Sequence, residues 1–374
     1  VTEYRPFFAL LYTDWVAGSR STAKTVSGLL NENRSCETPP FEVVRTDLSA
    51  VVGRTTLFGL AANHAPFAHS TFDALARTWR KAGLTEIPPQ RPVVLAAFDG
   101  PAAIVAAHAA RALGPFCRAA AVISSFVCDT AWTHEILDLY LVADVAMAKT
   151  LAARHIDPDH IVPVGLAQCG GFSAGACLHR LPTREKLRLP AHHFTVLLAT
   201  EHLSPDDARR TLDALAALKD IALLIDTAHD VEMYRCLKTH LGGFSVPITL
   251  FGKQENAPEM WACADAVVLK PVDRLCARAI CYGHPLVLVG PDGDRARRLA
   301  AEIEKRQLGL IAPSPRDAGG VIEILRRPET YTRLSRAALE RVKTDASTRI
   351  ARALEQLLRA IPVAAAKGVP DAGV

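Results

Sequence analysis

The sequence predicts an α/β protein of two domains, each with a parallel sheet wrapped by helices. Three observations lead there. Short runs rich in Val, Ile, Leu and Phe alternate with helical patterns along almost the whole chain. The runs are continuous rather than alternating, so both faces of each strand are covered, as in parallel sheets. The rhythm also stops and restarts around one glycine- and proline-punctuated stretch, and 374 residues suit two domains at ~150 residues each.

The first set of strands is predicted at Phe7–Tyr12, Phe41–Arg45, Pro92–Phe98, Ala119–Phe126, Leu139–Ala143 and Ile161–Gly165. The second set is predicted at Phe194–Ala199, Ile221–Asp226, Val246–Phe251, Ala266–Leu269, Pro285–Val289 and Gly309–Ile311. Between them, Cys169 to Pro190 has no sustained period and reads as a linker. The expected organisation is residues 1–168 as the first domain, 169–190 as linker, 191–345 as the second domain, and 346–374 as a terminal helix and tail.

Ser204-Pro-Asp-Asp207 reads as a helix start, with a serine N-cap, proline at the first helical position and carboxylates in the first turn. Leu212, Leu215 and Leu218 supply its buried stripe. Ala68, Phe72, Leu75 and Trp79 recur at helical spacing beside Arg77, Arg80 and Lys81, a core stripe that also suits peripheral membrane contact. Leu334 to Ala360 reads as one or two basic amphipathic helices, expected to return toward the first domain.

Composition narrows the function classes. Forty-three basic against 39 acidic residues give a net charge of +4, too balanced for a nucleic-acid binder. Nine cysteines occur without C-x-x-C spacing, and Cys117, Cys128, Cys169, Cys236, Cys263 and Cys276 sit in or beside apolar runs. Free thiols in a reducing cytoplasm are therefore expected, with no disulfide framework. Thirteen histidines fall in no metal-ligand pattern, His192, His193 and His202 included, so neither metal nor cofactor is expected. No apolar run approaches the ~20 residues of a membrane span, which leaves at most peripheral contact on the cytoplasmic face.

Longer motifs carry a resemblance. Val246-Pro-Ile-Thr-Leu-Phe-Gly252, Ala257-Pro-Glu-Met-Trp-Ala-Cys-Ala-Asp-Ala-Val-Val-Leu-Lys-Pro271 and Gly283-His-Pro-Leu-Val-Leu-Val289 resemble the C-terminal domain of GT-B glycosyltransferases. The nearest group is that of monogalactosyldiacylglycerol synthases and of enzymes glycosylating lipid-linked peptidoglycan precursors. Trp132-Thr-His134, Asp138-Leu-Tyr-Leu-Val-Ala143 and His155 through Gly165 resemble that family's N-terminal segments in order and spacing. The resemblance spans roughly residues 5–345. It implies two Rossmann-like domains facing a cleft, a nucleotide-sugar donor held by the second domain, and an acceptor against the first.

The chemical positions of that resemblance are altered. The family's glycine-rich loop ending in a histidine base reads Trp15-Val-Ala-Gly-Ser-Arg-Ser-Thr-Ala23, so Gly18 is kept and Ser19 stands where the base belongs. A serine hydroxyl is no base near neutral pH without a partner; Asp129 and His134 are the displaced candidates. The donor loop K-P-G-G-x-T-x-x-E-A reads Lys270-Pro-Val-Asp-Arg-Leu-Cys-Ala-Arg278-Ala279. Both glycines are gone, and Arg278 replaces the ribose-binding glutamate with a group that only donates. Glu201 adds a negative charge where the resemblance puts the diphosphate. Gly18, Gly252, Lys270, Asp273, Arg274 and Arg278 thus form the expected cleft or anion site, with Arg295 and Arg298 nearby.

Two functions follow. One is a glycosyltransferase-like protein without the family's transfer activity, acting as a binding or partner protein. The other is an active transferase with an altered nucleotide-sugar donor and a lipid or small-molecule acceptor. A nucleotide-sugar epimerase on the same two-domain plan is a third reading, with no acid/base pair identifiable for it. The expected partners are a nucleotide-sugar or other anionic ligand, a lipid acceptor or a partner protein.

Overall fold

The computed structural model describes residues 6–13, 19–32, 41–51, 91–133, 136–167, 180–190, 192–228, 230–252, 257–341 and 345–362. The Trp79 stripe, Gly18 and His134 lie outside them. The chain divides into two compact units. The first falls within Val1–Ile123, Cys128–Val164 and Ser347–Val374, the second within Ser124–Val127 and Gly165–Ala346.

The first unit holds strands β1 (Phe7–Tyr12), β2 (Glu42–Asp47), β3 (Val93–Ala97), β4 (Cys117–Ile123), β5 (Leu139–Val142) and β6 (Ile161–Pro163). They form one sheet in the order β2-β1-β3-β4-β5-β6, each pairing parallel. β1, β3 and most of β4 are buried along their length, as continuous apolar runs demand. The Gly100–Leu113 helix covers the sheet with Ala102, Ile104, Ala106 and Ala109. The terminal Ala346–Arg359 helix buries Ile350, Ala351 and Leu354, and Arg349 donates to the carbonyls of Pro163 (2.9 Å) and Val164 (3.4 Å).

The second unit holds β7 (Phe194–Ala199), β8 (Ile221–Asp226), β9 (Ile248–Phe251), β10 (Ala266–Leu269), β11 (Leu286–Val289) and β12 (Gly309–Ala312). Their order is β12-β11-β10-β7-β8-β9, again parallel throughout. Counted from β7, this is the doubly wound order 3-2-1-4-5-6 of dinucleotide-binding sheets. The Pro205–Ala216 helix starts as its sequence dictates: the Ser204 side chain accepts from Asp207 N at 3.1 Å. Its Leu212 and Leu215 are fully buried. The expected α/β class with two parallel sheets is what the structure shows.

The thiols depart from expectation at one place. Cys117, Cys128, Cys236, Cys263 and Cys276 are free, but Cys281 is disulfide-bonded. No helix among the described residues is long and apolar enough to cross a membrane.

The Ala318–Leu325 helix lies so close to the Pro205–Ala216 helix that a Cβ on Gly319 would sit 2.3 Å from the Ala214 carbonyl oxygen. At Gly320 a Cβ meets nothing within 4 Å. Gly319→Ala is therefore expected to destabilise the protein by about 1–3 kcal/mol through forced separation of the helices. Gly320→Ala should stabilise it by about 0.5–1 kcal/mol through helix propensity. Urea midpoints of the two variants moving in the same direction would contradict this packing.

Candidate functional site

In open parallel sheets a ligand crevice forms at the strand C-termini where the strand order reverses. The order of the first sheet puts that point between β1 and β3, and that of the second between β7 and β10. Each unit carries a polar cluster there.

In the first unit the cluster is Thr13, Ser19 and Asp99. Thr13 follows β1, Ser19 opens the Ser19–Glu32 helix, and Asp99 caps the Gly100–Leu113 helix after β3. Asp99 is fully buried. One carboxylate oxygen accepts from Ala102 N at 2.9 Å, the other from Thr13 N at 2.6 Å and Thr13 Oγ1 at 3.2 Å. The Ser19 hydroxyl bonds to the same carboxylate and donates to the Thr13 carbonyl at 2.7 Å. Ser19 is itself 4% exposed, so its hydroxyl serves the junction of two helices and a strand. Asp129 precedes the single turn Thr130–Trp132, without a side-chain cap. Its carbonyl and that of Cys128 accept from Arg154.

The second unit's cluster is charged. Lys270, just past β10, donates to the Gly290 carbonyl at 2.8 Å and pairs with Asp292 at 3.2 Å. Asp273 and Arg274 open the Asp273–Cys281 helix. Asp273 accepts from Ser125 Oγ at 2.5 Å and from Arg295 Nη2 at 2.7 Å. Arg274 pairs with Glu201, which follows β7. Arg278 lies 4.0 Å over the Trp261 ring, with Asp226 at 4.0 Å. Trp261 Nε1 in turn donates to Asp226 at 2.7 Å. Arg298 pairs with Asp294 one turn away. Gly252, after β9, stands where a Cβ would come within 3.3 Å of Thr227 Oγ1.

Electrostatics explain this pairing. Burial pulls the guanidinium pKa values of Arg274, Arg278 and Arg295 below the ordinary arginine value, with Asp226 opposing the shift at Arg278. A cation withdrawn from water needs a counter-charge beside it. Glu201, Asp226 and Asp273 supply that charge from neighbouring strand ends and the helix start. The structure thus gathers Lys270, Asp273, Arg274 and Arg278 on one sheet edge, with Gly252 following β9 of the same sheet. It pairs Asp273 with Arg295, and gives Arg278 to Asp226.

Thr13, Asp99, Asp226 and Trp261 were not singled out from the sequence. Phe98-Asp-Gly-Pro101 does contain a helix-cap signal, an Asp followed by Pro near the first helical position. Asp226 shows only as a carboxylate closing an apolar run. Among the described residues no group of three or more His, Cys, Asp or Glu converges to hold a metal.

No family model matches this chain, and no curated protein is similar to it in sequence. Solved structures do match its fold. The calicheamicin glycosyltransferase CalG4 aligns over 96% of this chain and 99% of its own, with TM-score 0.64 and 15% identity. S. aureus MnaA, in its structure with UDP, aligns over 95% and 97% with TM-score 0.62 and 10% identity. The kitacinnamycin glycosyltransferase aligns over 96% and 100% with TM-score 0.61 and 14% identity. At such identities the likeness establishes the fold, which is GT-B, shared by glycosyltransferases and UDP-N-acetylglucosamine 2-epimerases.

Burial pushes the Asp99 carboxyl up from 3.8 to about 6 against the hydrogen bonds it accepts. A raised folded-state pKa adds stability that is complete below about pH 4 and lost as pH rises through about 6. The displacement corresponds to roughly 3 kcal/mol. Asp99→Asn, neutral throughout, should therefore be destabilised most at pH 4 and recover toward wild type by about this amount at pH 7.5. Denaturant unfolding at the two pH values checks it, and a gap that stays constant or widens with pH contradicts it.

Proposed function

We infer that this chain is a glycosyltransferase-like GT-B protein without the family's transfer activity, serving as a binding or partner protein. The carrying observation is that, among the described residues, the cations on the charged edge of the second sheet are satisfied from within. Arg274 is engaged by Glu201, Arg278 by Asp226, Arg295 by Asp273 and Lys270 by Asp292. A diphosphate seated there must take Arg274 from Glu201, which leaves a carboxylate beside the phosphates. Arg278 offers a ribose no acceptor, and its stacking on Trp261 holds it in place. Ser19, at the position the resemblance gives to the general base, has its hydroxyl committed to Thr13 and Asp99. These points support loss of the reaction.

The active alternative draws on the same residues. Four arginines, Arg274, Arg278, Arg295 and Arg298, each paired with a carboxylate, could exchange that partner for an altered nucleotide-sugar donor, with a lipid or small-molecule acceptor. A lipid role of the monogalactosyldiacylglycerol synthase kind, on the cytoplasmic face with peripheral membrane contact, rests on the motif resemblance.

Titration calorimetry with UDP-glucose, UDP-galactose and UDP-N-acetylglucosamine separates the two. Two lost charge-assisted contacts at about 1.5 kcal/mol each imply roughly a hundredfold weaker binding than a complete donor site gives. Micromolar binding of any of the three would overturn the inactive reading. Arg278→Glu should not restore binding. It places a second carboxylate beside buried Asp226 and removes the cation from Trp261, so its melting temperature is expected to fall. A melting temperature held or raised, with nucleotide-sugar binding gained, is the contrary result.

A further inference from the structure

At the other edge of the second sheet, where strands begin, lies a surface cavity of about 560 Å³. Gln307, two residues before β12, lines one side. Glu329, Thr332, Arg333, Arg336 and Glu340 line the other, along one face of the Pro328–Leu339 helix and the residue after it. The volume is within the range of small-ligand sites, about 300–1,000 Å³.

Two features set this cavity apart from the charged edge described above. Among the described residues, its four charged side chains form no ion pair with one another or with any neighbour. This holds although Glu329 and Arg333, and Arg336 and Glu340, stand at the i,i+4 spacing that favours pairing. The helix is also anchored by its opposite face. Leu334 and Ala338 are buried, and Tyr331 packs edge-on against Phe194 with centroids 5.4 Å apart. The helix that carries the lining is thus held in place by its buried face. Its lining side chains are exposed, and among the described residues its charges have no ion-pair partner.

We propose that this cavity binds a small phosphate monoester carrying a primary ammonium, a zwitterion of the phosphoethanolamine type. Two adjacent guanidiniums, the Thr332 hydroxyl and the Gln307 amide offer more donors than the two oxygens of a carboxylate can use. A phosphate monoester has three terminal oxygens for them. Net charge selects the remainder of the ligand. Two arginines and two glutamates sum to zero, so a bare dianion gains from the arginines and loses against the glutamates. A ligand with an ammonium a short chain away satisfies both. Each arginine lies about one helical turn, ~6 Å, from a glutamate, within reach of a two-carbon link between phosphate and ammonium.

The test is titration calorimetry on the full chain with O-phosphoethanolamine, inorganic phosphate and ethanolamine as separate probes. Phosphoethanolamine is expected to bind roughly tenfold or more tightly than phosphate, and ethanolamine more weakly still. Arg333→Ala with Arg336→Ala should weaken phosphoethanolamine about a hundredfold. Glu329→Gln with Glu340→Gln should instead abolish the preference over phosphate. Because the substituted side chains lie opposite the buried stripe, melting temperatures should stay at the wild-type value. No heat with phosphoethanolamine, equal affinity for phosphate, or unchanged binding in the double arginine variant overturns the proposal. So does binding confined to phosphatidylethanolamine vesicles, which would mean a lipid phosphodiester surface. UDP-sugar affinity is not expected to change in either double variant, so failure here and failure of the inactive reading are told apart.

Discussion

A guanidinium withdrawn from water must have a counter-charge within reach, and the second unit's sheet edge is organised by that requirement. Its arginines stand past the ends of parallel strands with apolar interiors, and each one is paired with a carboxylate. Asp226 closes β8 and holds both Trp261 and Arg278. Glu201 meets Arg274 across the strand-order reversal between β7 and β10. Asp273 joins Arg295 to Ser125. Removing Arg278 costs more than its pair with Asp226 contributes, because a lone buried charge remains at Asp226. The pairs are therefore framework as much as site.

The two sheets were legible in the sequence because strands covered on both faces must be apolar without alternation. β1, β7, β8 and β10 have the bounds their apolar runs give. The departures have local causes. The run Ala119–Phe126 overshoots β4, which ends at Ile123. Ser124–Val127 leaves the ladder and belongs to the second unit. There the Ser125 hydroxyl reaches Asp273, and Arg306 lies 4.9 Å over Phe126. Phe126 and Val127 are buried, so their hydropathy is that of a strand although their hydrogen bonding is not. β9 starts at Ile248 rather than Val246 because Pro247 has no N–H for the ladder, although its carbonyl still accepts from Leu223 N at 2.9 Å.

The site was legible only in part. Arg274, Arg278, Lys270 and Asp273 lie together in the sequence on one loop and helix, and the motif comparison marks them. Their partners come from elsewhere: Glu201 from the β7 loop, Asp226 from β8, Asp292 and Arg295 after β11. Sequence spacing carries no signal for pairs formed between strand ends dozens of residues apart. The Thr13–Ser19–Asp99 cluster was hidden likewise, since its components lie on two strand ends and a helix start that only the β1–β3 pairing brings together.

How a parallel sheet carries so charged an edge follows from the same division of labour. In a parallel sheet the core depends on strand interiors and covering helices, and the C-terminal edge tolerates any residues that satisfy their own polar groups. Arg278 meets that condition, with an aromatic face beneath it and a carboxylate beside it. Ser19 meets it by closing a buried hydrogen-bond cluster. Neither residue leaves a buried charge alone, so neither threatens the sheet. The GT-B fold is shared with the solved structures it matches at 10–15% identity. What the edge residues then bind is decided by the charges they leave unspent, and along this edge Lys270, Arg274, Arg278, Arg295 and Arg298 each already have a carboxylate.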